Sequence, residues 1–314
     1  MQKTITKTLS VLTEDATSAW KALNGIICIY KPADVSCHRI CNTIAYKISN
    51  ELNQMKCRPC SDYIQIEGDP IKHLTVIRKE NLADHPLVVG PRYDQKDVRC
   101  TWSNYLGFNT SGILLMGLQN GTKMAALIRS NKLMRSYRVK GLLGRATDNF
   151  YKDGKVVERT TMGFIKSHHI DHLLSSMQSS HQRKMFNATG VDLQSQTAYE
   201  LAVKGQVRPV CSETPILYGI KCVDYKPPEF TIEVQCVNEY EMYLKALIHE
   251  IGIKLHSTAH CIGIQCIRHS YFNLDNALLQ KHWTLQHIFD NMEECRKIIN
   301  EHENLTKNNA IVIQ

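Results

Sequence analysis

Three short stretches hold residue types whose spacing could do chemistry. Cys57 and Cys60, in CRPC, have the gap of a redox pair or of half a zinc site. Zinc needs four ligands, and no second CxxC or CxxH completes the set. A redox pair would sit at a βα turn, whereas this one lies in a polar stretch. His168 and His172, in HHIDH, fall one helical turn apart and could share a metal, but no third ligand adjoins them. They read as solvated helix histidines. HEIGI opens like a zincin helix, but the second histidine position is Ile253. Neither a phosphate-cradling glycine loop nor a GxSxG elbow occurs. No metal is expected.

A fourth stretch is informative for what it lacks. SNYLGFNTSGILLMG, from Ser103 to Gly117, runs from a turn-prone half into a buried apolar strand and contains no acid. Asp94 and Asp97 lie ten or more residues upstream of Gly107.

The elements that would position such residues follow from periodicity. Asn24–Lys31 (NGIICIYK), Gly112–Leu118 and Arg135–Gly144 read as strands, as do PILYGIKCVDY and FTIEVQCV, which Pro227-Pro228 separates. AHCIGIQCIRHSYF is another strand. HRICNTIAYKISNEL, GTKMAALIRSNKL, HHIDHLLSSMQ and Glu241–His256 have helical spacing. Leu285, Ile288, Phe289, Met292, Cys295, Ile298 and Ile299 mark one face of a terminal helix. Strands mostly adjoin strands, so the expected class is α+β around a mixed sheet. Residues 53–73 read as an irregular polar insertion. The division expected is a tail over 1–21, one domain over 22–283, and a C-terminal helix and tail over 284–314.

The chain has 314 residues, 43% hydrophobic and 22% charged, which suits one large or two small globular domains. No apolar run reaches the ~20 residues of a membrane span, so no membrane partner is expected. A net charge of +8 favours polyanionic partners, nucleic acid first. Twelve scattered cysteines, among them Cys28, Cys222, Cys236, Cys261 and Cys266 in apolar strands, fit a reducing compartment in which they serve as small core residues. MQKTITKTLSVLT, with Lys3, Lys7 and no acid, is compatible with an organelle presequence, although it contains no arginine.

Several separated segments, in order, resemble the TruB family of RNA pseudouridine synthases. They are NGIICIYKPADVS, GFNTSGILLMGLQNGTK, RSYRVKGLLGRATDNFYKDGKVVE, MFNA with QTAYELAVKGQVRP, and PPEFTIEVQCVNEYEMYLKALIHEIG. The match covers roughly residues 22–280 and is most similar to the animal mitochondrial branch. The resemblance implies a pseudouridine-synthase-like fold without the C-terminal PUA domain of bacterial members, no cofactor, RNA as partner, and a mitochondrial (matrix) location, with nucleus or cytoplasm as alternatives.

It also implies the site. Aligning Ser111-Gly112 with the family's small-Gly pair puts the nucleophilic aspartate position at Gly107, which has no side chain to form an adduct. The tyrosine that would stack on the flipped uracil falls on Tyr137, and the arginine that pairs with the aspartate falls on Lys245. Lys31, Lys123, Arg135 and Lys140 are the expected phosphate contacts. With both halves of the ion pair altered, the expectation is an RNA-binding relative with weak or lost isomerase activity. Two alternatives stay open: an active synthase using another acid, and a non-catalytic scaffold among mitochondrial RNA-processing or ribosome-assembly proteins.

Overall fold

In a computed structural model, described over residues 15–55, 57, 62–69, 73–81, 86–188, 192, 194–204, 214–302 and 305, the apolar run after Thr110 becomes the strand around which the rest is built. In chain order the elements are α1 (Ala16–Ala22), β1 (Gly25–Lys31), α2 (Cys37–Gln54), β2 (Asp62–Asp69), β3 (His73–Glu80), α3 (Pro86–Val89), β4 (Cys100–Trp102), β5 (Thr110–Leu118), α4 (Gly121–Ser130), β6 (Arg135–Leu143), β7 (Arg145–Thr147), β8 (Val156–Arg159), α5 (Ser167–Ala188), α6 (Gln196–Lys204), β9 (Ile216–Lys226), β10 (Glu229–Val237), α7 (Glu241–Lys254), β11 (Ala259–His269), β12 (Phe272–Asn273) and α8 (Leu285–Glu301).

The main sheet runs β1-β5-β11-β6-β10-β9, with β4 on β5 and β12 on β11. It is mixed, as expected: β5 and β11 are parallel and the other pairs antiparallel. Strand β5 is buried along almost its whole length, so it shows no in–out alternation. Gly112 sits where β5 meets β11, with φ +118; a Cβ there would lie 2.1 Å from the Cys266 carbonyl oxygen. Only glycine fits that close approach in that conformation.

The terminal helix buries the face its spacing marks, Leu285, Ile288, Phe289, Met292, Cys295 and Ile299, against β1. Its Asn291 accepts from the Cys28 amide at 2.8 Å. At the other end, Asp15 caps α1 through the Thr17 and Ser18 amides, and Ala16, Ala19 and Leu23 enter the same core. Residues 1–14, which carry the presequence-like pattern, lie outside the described residues, as does Cys60.

One expectation is corrected. Most of the described residues within 53–73 are not irregular: α2 runs to Gln54, and β2 and β3 pair antiparallel with Asp62 opposite Glu80 and Ile66 opposite Val76. Tyr63-Ile64-Gln65-Ile66 alternates with the period of a strand, but charged neighbours mask it. The pair is a sheet of its own, so its apolar residues stay exposed and lack the signature of a buried strand.

Candidate functional site

The loop between β4 and β5 is fixed at both ends. Buried Asn104 donates to the Ile113 carbonyl at 2.9 Å and accepts from the Leu115 amide at 2.9 Å. Lys31, at the end of β1, is fully buried, and its ammonium donates to the carbonyls of Pro32 (3.1 Å), Phe108 (3.2 Å) and Thr110 (2.6 Å). Burial lowers its pKa from the ordinary lysine value. Lys31 is therefore a loop clamp, and the expected phosphate contact is corrected: its three hydrogens are already spent on carbonyls.

Gly107 lies in this loop and faces the first turn of α7. Glu241, the first residue of that helix, sends its carboxylate to Gly107: a Cβ built on Gly107 would lie 2.1 Å from Glu241 Oε2 and 2.6 Å from Glu241 Cβ. Oε2 accepts from the Thr110 amide at 3.0 Å and the Thr110 hydroxyl at 2.8 Å. Oε1 pairs with Lys245 Nζ at 2.8 Å, one helical turn on. Lys245 also donates to Asn109 Oδ1 at 2.8 Å and sits 4.6 Å from the Tyr151 ring centroid. A carboxylate in the first turn is also favoured by the helix dipole.

Lys245 thus pairs with Glu241 of its own helix, a pair that the sequence reading did not foresee. The carboxylate comes from Glu241 instead of position 107, and its oxygens occupy the space that a side chain at 107 would need. The pair is nearly dry, with side chains 9% and 16% exposed. Asp94 and Asp97 take no part; they cap a turn of their own over Gln95–Asp97.

Tyr137 and Arg135 also differ from expectation. Tyr137 is 3% exposed, and its hydroxyl donates to Glu239 Oε1 at 2.7 Å. Arg135 Nε reaches the same oxygen at 2.6 Å. Burial raises the Glu239 carboxyl above its usual range, against the pull of Arg135 and Tyr137. The Tyr137 ring has no free face for a base, and the Arg135 guanidinium is tied to a buried carboxylate. Lys123 and Lys140 are exposed, as phosphate contacts must be. His168 and His172 are exposed too, and among the described residues no group of three or more His, Cys, Asp and Glu side chains could hold a metal.

A cavity of about 430 Å³ opens beside these groups; its walls include Gly107, Lys132, Arg135, Glu239, Glu241 and His269. The sequence reading missed Glu239, Glu241, Tyr151 and Lys132. Only Glu241 left a local signal, its i,i+4 spacing to Lys245.

His269 supplies a test. It is buried, its Nδ1 has no hydrogen-bond partner among the described residues, and burial, with Arg135 adding to it, pushes its pKa down to about 3. The folded state therefore refuses a proton that the unfolded chain takes up near pH 6.5. This contribution is whole above pH 6.5 and is lost as pH falls toward 3, roughly 2 kcal/mol by pH 5. We expect the melting temperature to drop by roughly 3–5 °C more in the native protein than in His269→Phe between pH 7 and 5. Equal drops would mean that His269 is not held neutral.

Known proteins resemble this chain in sequence along most of its length. Residues 98–242 match the TruB family pseudouridylate synthase (N terminal domain), a span that includes Gly107, Tyr137 and Glu241. The mitochondrial pseudouridylate synthase TRUB2 of Xenopus tropicalis is 35% identical over 288 residues, 90% of this chain and 88% of that protein. The human protein of that name is 34% identical over 275 residues, covering 85% and 82%. The tRNA pseudouridine synthase B of Heliobacterium mobile is 25% identical over 185 residues, covering 58% of this chain and 59% of that protein. Among solved structures, the archaeal box H/ACA sRNP Nop10-Cbf5 complex aligns with a TM-score of 0.44 at 12% identity, over 91% of this chain and 60% of that one. On its sequence, and foremost on the near full-length match to the amphibian protein, the chain belongs to the TruB family of pseudouridylate synthases.

Proposed function

We propose that this chain binds structured RNA, of the mitochondrial rRNA, mRNA or tRNA classes, across the Gly107 cleft, and that its uridine-to-pseudouridine isomerase activity is weak or lost. The observation that carries this is the state of the Glu241 carboxylate. Pseudouridylation must break the N1–C1′ bond, turn the base and rejoin it through C5, and a carboxylate that assists needs a free lone pair facing the nucleoside. Glu241 Oε1 accepts from Lys245 and Oε2 from the Thr110 amide and hydroxyl; these bonds occupy three of the carboxylate's roughly four lone-pair sites and lower its nucleophilicity. The Glu241 carboxylate also lies where the Cβ of an aspartate at 107 would have to be.

The same residue supports a second reading, an active synthase in which Glu241 is the different acid. It lines the cavity and pairs with Lys245, the residue at the family's arginine position. The mitochondrial names of the relatives support a mitochondrial location, in the matrix on our reading.

Two measurements separate these readings. Purified protein incubated with mitochondrial tRNA, rRNA and mRNA should form little or no pseudouridine. Robust formation that Glu241→Gln abolishes would overturn the lost-activity reading in favour of the second. Binding to structured RNA should weaken linearly in log salt, with a slope of about −0.7 to −0.9 per neutralised phosphate. Affinity that ignores salt would favour a scaffold among RNA-processing or ribosome-assembly proteins.

A further inference from the structure

A second cavity, of about 520 Å³, lies away from the Gly107 cleft, and neither the fold nor the ion pair accounts for it. Its cationic walls are Lys21 from α1, Arg92, Lys96 and Arg99, facing one carboxylate, Asp97. Asp97 is already engaged, accepting from the Asp94 amide at 3.1 Å. All four cations are exposed, and among the described residues none makes an ion pair within 4.0 Å. Four cations converging on one cavity repel each other, and an anion relieves that cost.

The cavity also has a rigid aromatic wall. Trp20 and Tyr93 pack with centroids 5.0 Å apart, and the Arg92 guanidinium lies 6.0 Å from the Tyr93 centroid. Arg92 is steadied further by the Cys57 carbonyl, which accepts from it at 2.5 Å. Gln119 donates to the Asp97 carbonyl at 3.1 Å, tying this wall to the end of β5. The volume is within the range of ligand pockets, but the lining is charged and open, which suits a solvated phosphate better than an apolar ligand.

Its place in the fold points to the occupant. β1 and β5 pair from Gly25 opposite Leu118, at this cavity, to Lys31 opposite Gly112, at the Gly107 loop. Six residues of strand separate the two ends, about 20 Å. A folded RNA seated at the first site would span that distance with several phosphates.

We propose that this cavity is an accessory site for the phosphodiester backbone of RNA, gripping a segment some 20 Å from the nucleotide held at the Gly107 cleft. This rests on the RNA-binding reading above. Lys21, Lys96 and Arg99 supply the charge, and the Trp20–Tyr93 pair keeps their supporting backbone in place.

The test uses the full chain and a structured mitochondrial RNA pool. For Lys96→Ala/Arg99→Ala we expect the slope of log affinity against log salt to shrink by about 1.4–1.8, and affinity near 0.15 M salt to fall roughly 15–30-fold. An unchanged slope and affinity in the variant, with a clear salt slope in the native protein, would overturn the accessory site and leave RNA binding at the cleft standing. No salt-dependent binding by the native protein would overturn both. A second measurement needs no variant: acetylation of Lys21 and Lys96, read by mass spectrometry, should drop when RNA is added to the native protein. Unchanged acetylation sinks the proposal. Protection by a mononucleotide at micromolar concentration, with none by RNA, would replace the RNA backbone by a free nucleotide as the occupant.

Discussion

Gly107→Asp should destabilise the protein and should not raise any isomerase activity. A side chain at 107 would run into Glu241, with its Cβ 2.1 Å from the carboxylate oxygen and 2.6 Å from Glu241 Cβ. Even a rotated Glu241 leaves its own Cβ in the way. Overpacking of this kind costs about 1–3 kcal/mol. The second carboxylate then meets the first at close range, where like charges about 4 Å apart repel by up to about 4 kcal/mol near a protein surface, unless one of them is protonated. We expect a net loss of about 2–4 kcal/mol. Glu241→Gly should also destabilise, because it strands a buried Lys245, at a cost of about 3–5 kcal/mol. The two together should be better than their sum: glycine at 241 makes room, and aspartate at 107 gives Lys245 a new partner. A favourable coupling near the top of the 0.5–3 kcal/mol range is expected from unfolding of the four-member cycle. Additive losses would mean that residues 107 and 241 do not meet, and the site geometry would fall. For activity, the smallest rebuilding set is Gly107→Asp, Glu241→Gly and Lys245→Arg, because only a guanidinium holds a carboxylate through two parallel bonds. Gly107→Asp with Lys245→Arg alone leaves the obstruction in place and should gain no activity over the native protein.

Arg135 should behave as a structural residue. Its partner Glu239 has a side chain 1% exposed and also takes the Tyr137 hydroxyl. Arg135→Ala leaves that carboxylate buried without its cation, which costs about 3–5 kcal/mol. Removing both charges together, in Arg135→Met/Glu239→Leu/Tyr137→Phe, should recover much of the loss, since an apolar set of similar volume has no desolvation cost to repay and leaves no hydroxyl without its acceptor. Lys123→Ala and Lys140→Ala, at exposed positions, should change stability by less than about 0.5 kcal/mol while each reduces the salt slope of RNA binding by about 0.7–0.9. Thermal unfolding separates the two classes. An Arg135→Ala protein as stable as the native one would return Arg135 to the list of phosphate contacts.

How much of this was readable in advance differs by element. β1, β5, β6 and α8 announce themselves, because each buries one face or is buried throughout, and burial writes a period or an apolar run into the chain. The β2–β3 pair does not, because it buries almost nothing and its strands are free to be polar. Buried lysine and arginine were misassigned for a related reason. Lys31 and Arg135 have the same composition signature whether they face water or a buried acceptor, and only the packed sheet says which.

The sequence by itself determined that position 107 has no side chain and that Glu241 lies one helical turn before Lys245; the resemblance to the family implied a guanidinium at the position of Lys245. The sequence could not say that the space at Gly107 was filled. Glu241 and Thr110 are 131 residues apart, and their meeting depends on the β4–β5 loop being held by Lys31 and Asn104 while α7 packs on β11, beside β5. Side-chain charge is a local property of the chain, but which charges share a desolvated space is set by the order of strands in the sheet.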